Sequence, residues 1–179
     1  MNSLNKSELI SDIRTVPDYP APGVLFYDIT TLLKDANHFS EICRALKEHY
    51  RDIPVTKVVA VESRGFFFGS ALAAFLNVGF VPLRKPGKLP SSVFSVAYQK
   101  EYATDILEIH CDALTSSDVV ILHDDILATG GTINASIELL SNFNIKSIYL
   151  DFLLEIESLH GRSNITNPYT AFHSLITVP

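Results

Sequence analysis

A chain of 179 residues, 47% hydrophobic and 19% charged, is long enough to bury a sizeable core and too apolar to stay disordered. Its net charge of −6 and the absence of any basic run argue against nucleic acid as a partner. No apolar run reaches the length of a membrane span and no secretory signal opens the chain, so the cytoplasm is the expected compartment.

Residues 2–14 read as a short helix, with Leu9 and Ile13 one turn apart. Pro17, Pro20, Pro22 and Gly23 then break regular structure, and residues 24–29 follow as an irregular or extended apolar piece. Asp35 can cap a helix that runs to about Tyr50, with Phe39, Ile42, Cys43 and Leu46 on one face. Cys43 is therefore expected as a buried free thiol, and its distance in sequence from Cys111 gives no metal-type spacing. The β-branched run 57–61 reads as a central strand, Glu62-Ser63-Arg64-Gly65 as a turn, and residues 66–76 as an apolar helix. Residues 80–83 are another strand. Residues 84–92 carry three cations, two prolines and a glycine, which no core accommodates. Residues 93–98 and 106–110 read as the arms of an excursion outside the main sheet. Residues 147–154 form a further buried strand and 171–178 an edge strand. This order fits an α/β domain with a Rossmann-like parallel central sheet flanked by helices.

Residues 119–132 are the most informative stretch. Val119, Val120, Ile121 and Leu122 are apolar without alternation, as in a strand buried on both faces. The run ends in Asp124 and Asp125. The loop Ala128-Thr129-Gly130-Gly131-Thr132 follows, and Ile133, Ile137 and Leu140 then recur at helical spacing. Adjacent glycines let successive N–H groups turn toward one point, and the start of the helix favours an anion there. A phosphate monoester fits such a loop. Like charge keeps the two carboxylates off the phosphate; they suit sugar hydroxyls, or water on Mg2+. Singly, a Gly-Gly pair is more often a tight turn, and an Asp pair a solvated strand end; the combined unit favours the phosphate reading. Arg64 sits where a strand yields to a helix, a corner that lines the ligand crevice in parallel sheets, and a guanidinium there can grip a diphosphate.

The unit Asp-Asp-Ile-Leu-Ala-Thr-Gly-Gly-Thr closely resembles the signature of type I phosphoribosyltransferases, which use phosphoribosyl pyrophosphate (PRPP), in the form carried by the adenine-specific branch. Three other segments are similar to that family in the same order. Residues 22–29 resemble a hood over adenine, with Phe26 against the base and backbone groups of Leu25 and Tyr27 reading its edge; many members have Arg where this chain has Tyr27. Glu62-Ser63-Arg64-Gly65 resembles the pyrophosphate loop, which implies a cis peptide between Glu62 and Ser63. Residues 84–90 resemble the start of a flexible lid, with Arg84, Lys85 and Lys88 at its cationic positions.

The resemblance covers residues 17–162 and implies a single type I phosphoribosyltransferase domain over residues 1–179. Its arm and hood would occupy residues 1–34 and its lid residues 84–105. The implied reaction is adenine plus PRPP giving AMP and pyrophosphate, with Mg2+ as cofactor, in purine salvage by a homodimer. By the same resemblance Ala128, Thr129, Gly130, Gly131 and Thr132 hold the 5′-phosphate. Asp124 and Asp125 are catalytic, taking the ribose hydroxyls and, through water, the metal. Glu62, Ser63, Arg64, Arg84, Lys85 and Lys88 handle pyrophosphate. Ile156 closes the base pocket and Glu101 is the proton-transfer partner. Relatives acting on 6-oxopurines carry a Lys near residues 151–159, and this chain has none there. His123 departs from the apolar residue usual before the acids; it is expected as a packed, hydrogen-bonded histidine, with an influence on the carboxylates as the alternative. Three other readings stay open: activity on another purine, a non-catalytic PRPP-sensing regulator, for whose DNA-binding module the short arm leaves no room, and a phospho-acceptor receiver, whose acidic pair belongs near the start of the chain.

Overall fold

The computed structural model describes residues 4–99 and 104–179. Helix α1 (Lys6–Asp12) starts where the Asn5 side chain accepts the Glu8 amide, shorter than the 2–14 expected from sequence. Strands β1 (Arg14–Pro17) and β2 (Leu25–Asp28) form an antiparallel ribbon, so the proline-rich segment is a hairpin arm. A one-turn helix α2 (Thr30–Lys34), too short to show a period in the sequence, precedes α3 (Ala36–Tyr50). The Asp35 carboxylate caps α3 as predicted, accepting the amides of Asn37 and His38 at 2.9 Å each.

Next come β3 (Lys57–Val61), α4 (Gly65–Leu76) and β4 (Gly79–Leu83). The excursion is a two-stranded antiparallel sheet, β5 (Val93–Gln99) with β6 (Thr104–His110). Then follow β7 (Val119–Leu127), α5 (Gly131–Ser141), β8 (Ser147–Ile156) and β9 (Ala171–Val178). The main sheet has the order β4-β3-β7-β8-β9 and is parallel throughout.

Strand alternation divides the core. Val58 and Ile121 face α3 and α4 with Ile42, Leu46, Phe68 and Leu72. Val59, Val120 and Leu122 face α5 and the excursion with Leu107, Ile109 and Leu140. Each such side chain, removed from water, contributes roughly 1.5–3 kcal/mol. Cys43 lies in the first cluster as a free thiol, and burial pushes its pKa up to about 11.

The chain steps from β3 to β4 on one side and then places β7 on the other. Strand order therefore reverses between β3 and β7, and ligands of open parallel sheets bind beyond the carboxyl ends at such a point. Pairing of β3 with β7 stops at Ala60 and His123, whereas β7 stays paired with β8 as far as Leu127 and Glu155. Residues 124–127 consequently form one wall of an open crevice. The sequence ends this strand at the acids; in the structure it runs through them to Leu127, because β8 continues to supply partners.

Candidate active site

The crevice is built from strand ends. Glu62 and Ser63 leave β3 through a cis peptide, in accord with the resemblance, and α4 begins at Gly65. Gly65 lies so close to β7 that a β-carbon on it would stand 3.1 Å from both the Asp124 carboxylate and the His123 carbonyl. On the other wall, Ala128 to Thr132 turn into α5. Gly130 is the residue before the helix, has φ 87°, and offers no side chain to cap it. The first amides of α5 are thus left to an external acceptor, which the helix dipole makes anionic by preference. A concavity of about 60 Å³ lies there, lined by Asp124, residues 126–127, the whole loop 128–132 and Ile133.

The two acids act on each other and on Arg64, but they face different surroundings. Asp124 is half-buried and lines the phosphate-loop concavity, while Asp125 is buried and meets Arg64, whose Nε lies 2.9 Å from Asp125 Oδ2. That approach is off the N–H axis: Arg64 Nη1 and Asp125 Oδ2 are both buried without a hydrogen bond. Burial, and then the charge of Asp125, push Asp124 well above the usual carboxylate range. Burial also raises Asp125, against the pull of Arg64.

Two carboxylates facing one guanidinium leave negative charge uncompensated, and Asp125 Oδ2 lacks a donor. Among the described residues no group of three His, Cys, Asp or Glu could form a metal cage. The donorless carboxylate oxygen fits Mg2+, which keeps waters and takes one or two carboxylates together with substrate oxygens.

Arg64 also links the hood, its guanidinium carbon lying 5.0 Å from the Phe26 ring centre. Tyr19 packs edge-on against Phe26 at 5.1 Å. Leu25 is exposed, and Tyr27 packs on the α3–α4 core together with Ile156. The tyrosine that replaces the family's usual Arg thus turns its ring into the body.

Two of the three cations at 84–88 already have partners. Arg84 Nε lies 2.9 Å from Glu62 Oε2, and the Lys85 amide donates to the same oxygen at 2.7 Å. Arg84 holds the Glu62 carboxyl below its usual range. Lys85 Nζ is 3.3 Å from Asp105, and Lys88 is exposed. Arg84 and Glu108 bond backbone to backbone in both directions, which ties the start of the lid to β6. Glu101 lies outside the described residues.

Sequence reasoning missed three supports. The Thr132 hydroxyl donates to Tyr98 OH on β5 at 3.4 Å, a weak contact joining lid and phosphate loop. Residues 161–164 pack against the phosphate loop, and Gly161 in a polar stretch was the available signal. Under the acids, His123 Nδ1 is 2.6 Å and His173 Nδ1 2.7 Å from the fully buried Asp151, to which Tyr50 OH donates at 3.0 Å. His123 is therefore packed and hydrogen-bonded, with Nε2 buried and unpartnered. A groove of about 470 Å³ lies at the opposite end of β8 beside Lys146 and Tyr169 and shares no lining residue with the loop concavity.

The Phosphoribosyl transferase domain family model matches residues 28–170. The chain is 51% identical over 160 residues to the adenine phosphoribosyltransferase of Bacteroides thetaiotaomicron, covering 89% of this chain and 91% of that one. The crystal structure of the Thermoanaerobacter pseudethanolicus adenine phosphoribosyltransferase superposes with a TM-score of 0.89 at 43% identity, over 97% of this chain and 100% of that one. The Giardia lamblia enzyme complexed with 9-deazaadenine gives a TM-score of 0.93 at 39% identity, over 99% of each chain. Strand order, the uncapped glycine loop and the cis turn thus coincide with likeness along nearly the whole chain, which belongs to the adenine phosphoribosyltransferase family.

Proposed function

We propose that this chain transfers the 5-phosphoribosyl group of PRPP to adenine, giving AMP and pyrophosphate. The observation that carries this is the crevice between β3 and β7. An uncapped helix start forms one wall, an arginine the other, and acids lie between. Loop 128–132 takes the 5′-phosphate through main-chain amides and the hydroxyls of Thr129 and Thr132. Asp124 accepts from the ribose hydroxyls, and its charge steadies the positive ribose as the C1–oxygen bond breaks. Asp125 acts chiefly by holding Arg64. Arg64, Arg84, Lys85 and Lys88 bind the departing pyrophosphate, with Glu62 and Ser63 shaping the turn beneath it. Phe26, the Leu25 and Tyr27 backbone and Ile156 hold the base. As the bond from N9 to C1 forms, adenine loses its N9 proton, and Glu101 assists proton transfer at the base. Asp124 and Asp125 would hold Mg2+ through water; when bound, the ion adds positive charge beside the leaving diphosphate.

The same proposal includes one domain over residues 1–179, a homodimer and a cytoplasmic location. Helix α4 supports pairing: it is apolar all round, yet leaves Phe67 45% and Phe75 41% exposed. Among the described residues no helix is long and apolar enough to cross a membrane. Purified protein with PRPP and Mg2+, assayed in parallel with adenine, guanine, hypoxanthine, xanthine and orotate, tests the proposal. AMP from adenine alone is expected; turnover of a 6-oxopurine instead, or of no base, rejects it.

A further inference from the structure

We infer that Gly161 and Asn164, on the connection from β8 to β9, are positioning residues that aim the main-chain amides of the phosphate loop. The inference rests on the phosphate reading of residues 128–132. A trans peptide sets its C=O and N–H on opposite sides of the chain. Whatever fixes the carbonyls of such a loop therefore aims its amides. Asn164 Nδ2 donates to the Thr129 carbonyl at 3.1 Å. The N–H of Gly130, in the same peptide unit, must point away from Asn164. One peptide earlier, the Ala128 carbonyl lies against Gly161, where a β-carbon would overlap its oxygen. Gly161 is buried and its φ is not positive, so close approach, not conformational freedom, requires glycine there. The N–H of Thr129 is turned from Gly161 in turn. The Gly161 carbonyl meets the loop again, 2.7 Å from where a β-carbon on Gly130 would stand.

This buttress is itself clamped to the helix that the loop opens. Asn134, in the first turn of α5, donates from Nδ2 to the Asn164 carbonyl at 2.8 Å. Its Oδ1 accepts the Thr166 amide at 3.0 Å. The Asn167 side chain returns a bond to the Asn134 carbonyl at 2.9 Å. The clamp joins one helix turn to one loop, so ligand affinity depends on it more than overall folding does.

The test compares wild type with Asn164→Ala, with Asn164→Asp, whose carboxylate keeps the size but cannot donate, and with Gly161→Ala. Ribose 5-phosphate binding is measured by calorimetry, KM for PRPP and for adenine by assay, and folding by thermal unfolding. Both Asn164 variants are expected to bind ribose 5-phosphate about tenfold more weakly and to raise KM for PRPP similarly. KM for adenine should stay within about twofold and kcat within about threefold. Gly161→Ala should lose more in the same direction. Wild-type affinity in both Asn164 variants overturns the inference, as does an equal loss for adenine and ribose 5-phosphate. Failure of the wild type itself to bind ribose 5-phosphate overturns the phosphate reading instead.

Discussion

The glycine-loop corner, proposed to take the 5′-phosphate, and the Arg64 corner, proposed to take pyrophosphate, face each other across one crevice and are built on different principles. The first is made of main chain: an uncapped helix start, a glycine at φ 87° and a loop held from behind by Asn164. Its donors point where they are needed before any ligand arrives. The second is made of charged side chains, and three of its cations already have partners: Arg64 with Asp125, Arg84 with Glu62, Lys85 with Asp105. On the proposed function, a diphosphate entering there would compete with these carboxylates. By the same proposal, the ester phosphate would meet a preformed main-chain cradle, and the leaving group an exchange of ion pairs that can be undone for release. Preorganised donors need no rearrangement as charge develops, whereas exposed pairs such as Lys85–Asp105 are individually weak and screened by salt.

Loosening both corners at once should have the largest effect. Both adjoin β7, and beneath its acids lies Asp151, held by His123, His173 and Tyr50. Removing one partner of a buried charged cluster costs about 3–5 kcal/mol, so Asp151→Ala should lower unfolding stability by that order, read by urea denaturation. Burial alone would raise Asp151, but the two histidine rings override it and hold the carboxyl well below its ordinary range. A depressed carboxylate contributes stability above the unfolded value of about 4 and loses it as pH falls further. Wild type should therefore lose stability below about pH 4 more steeply than Asp151→Asn; equal slopes would remove Asp151 as the anchor.

The rigid corner alone is broken by Gly130→Val. A branched side chain at φ 87° is strained, and its β-carbon meets the Gly161 carbonyl. A loss of about 100-fold or more in kcat/KM for PRPP is expected, roughly 2.7 kcal/mol, together with a lowered unfolding temperature from the strain at that position. A loss under about threefold would mean that the loop is not preorganised.

Arg64→Gln tests the exchanging corner, where about 30-fold lower kcat/KM for PRPP is expected. The smallest effect carries the sharpest sign. Glu62→Gln removes the competitor of Arg84 and Lys85, so inhibition by pyrophosphate should tighten, by about threefold. Weaker inhibition would show that Glu62 holds the cations ready instead of holding them back.

The difference between the corners also explains what could be read in advance. A backbone site advertises itself locally: Ala128-Thr129-Gly130-Gly131-Thr132 between an apolar run and a helical period is legible because turn chemistry and helix starts depend on adjacent residues. The same holds for the Asp35 cap, the strands at 57–61 and 171–178, and the buried thiol of Cys43. The cis bond at Glu62 was legible only through resemblance of a four-residue turn. A side-chain site depends on partners far along the chain. Nothing near Arg64 names Asp125, nothing near Glu62 names Arg84, and nothing near Thr129 names Asn164.

By itself, then, the sequence determined the α/β order of elements, the glycine loop that opens α5 and the residue types that crowd the crevice, because periodicity, turn preference and charge are properties of neighbours. Only the tertiary structure decided that β7 continues through its acids, that Asp125 meets Arg64 while Asp124 lines the loop concavity, and that His123 joins a buried cluster with Asp151. Those outcomes turn on which strand lies alongside which. β8 runs on beside β7 after β3 has turned away, and pairing across that boundary sets both strand length and the direction of every side chain on it.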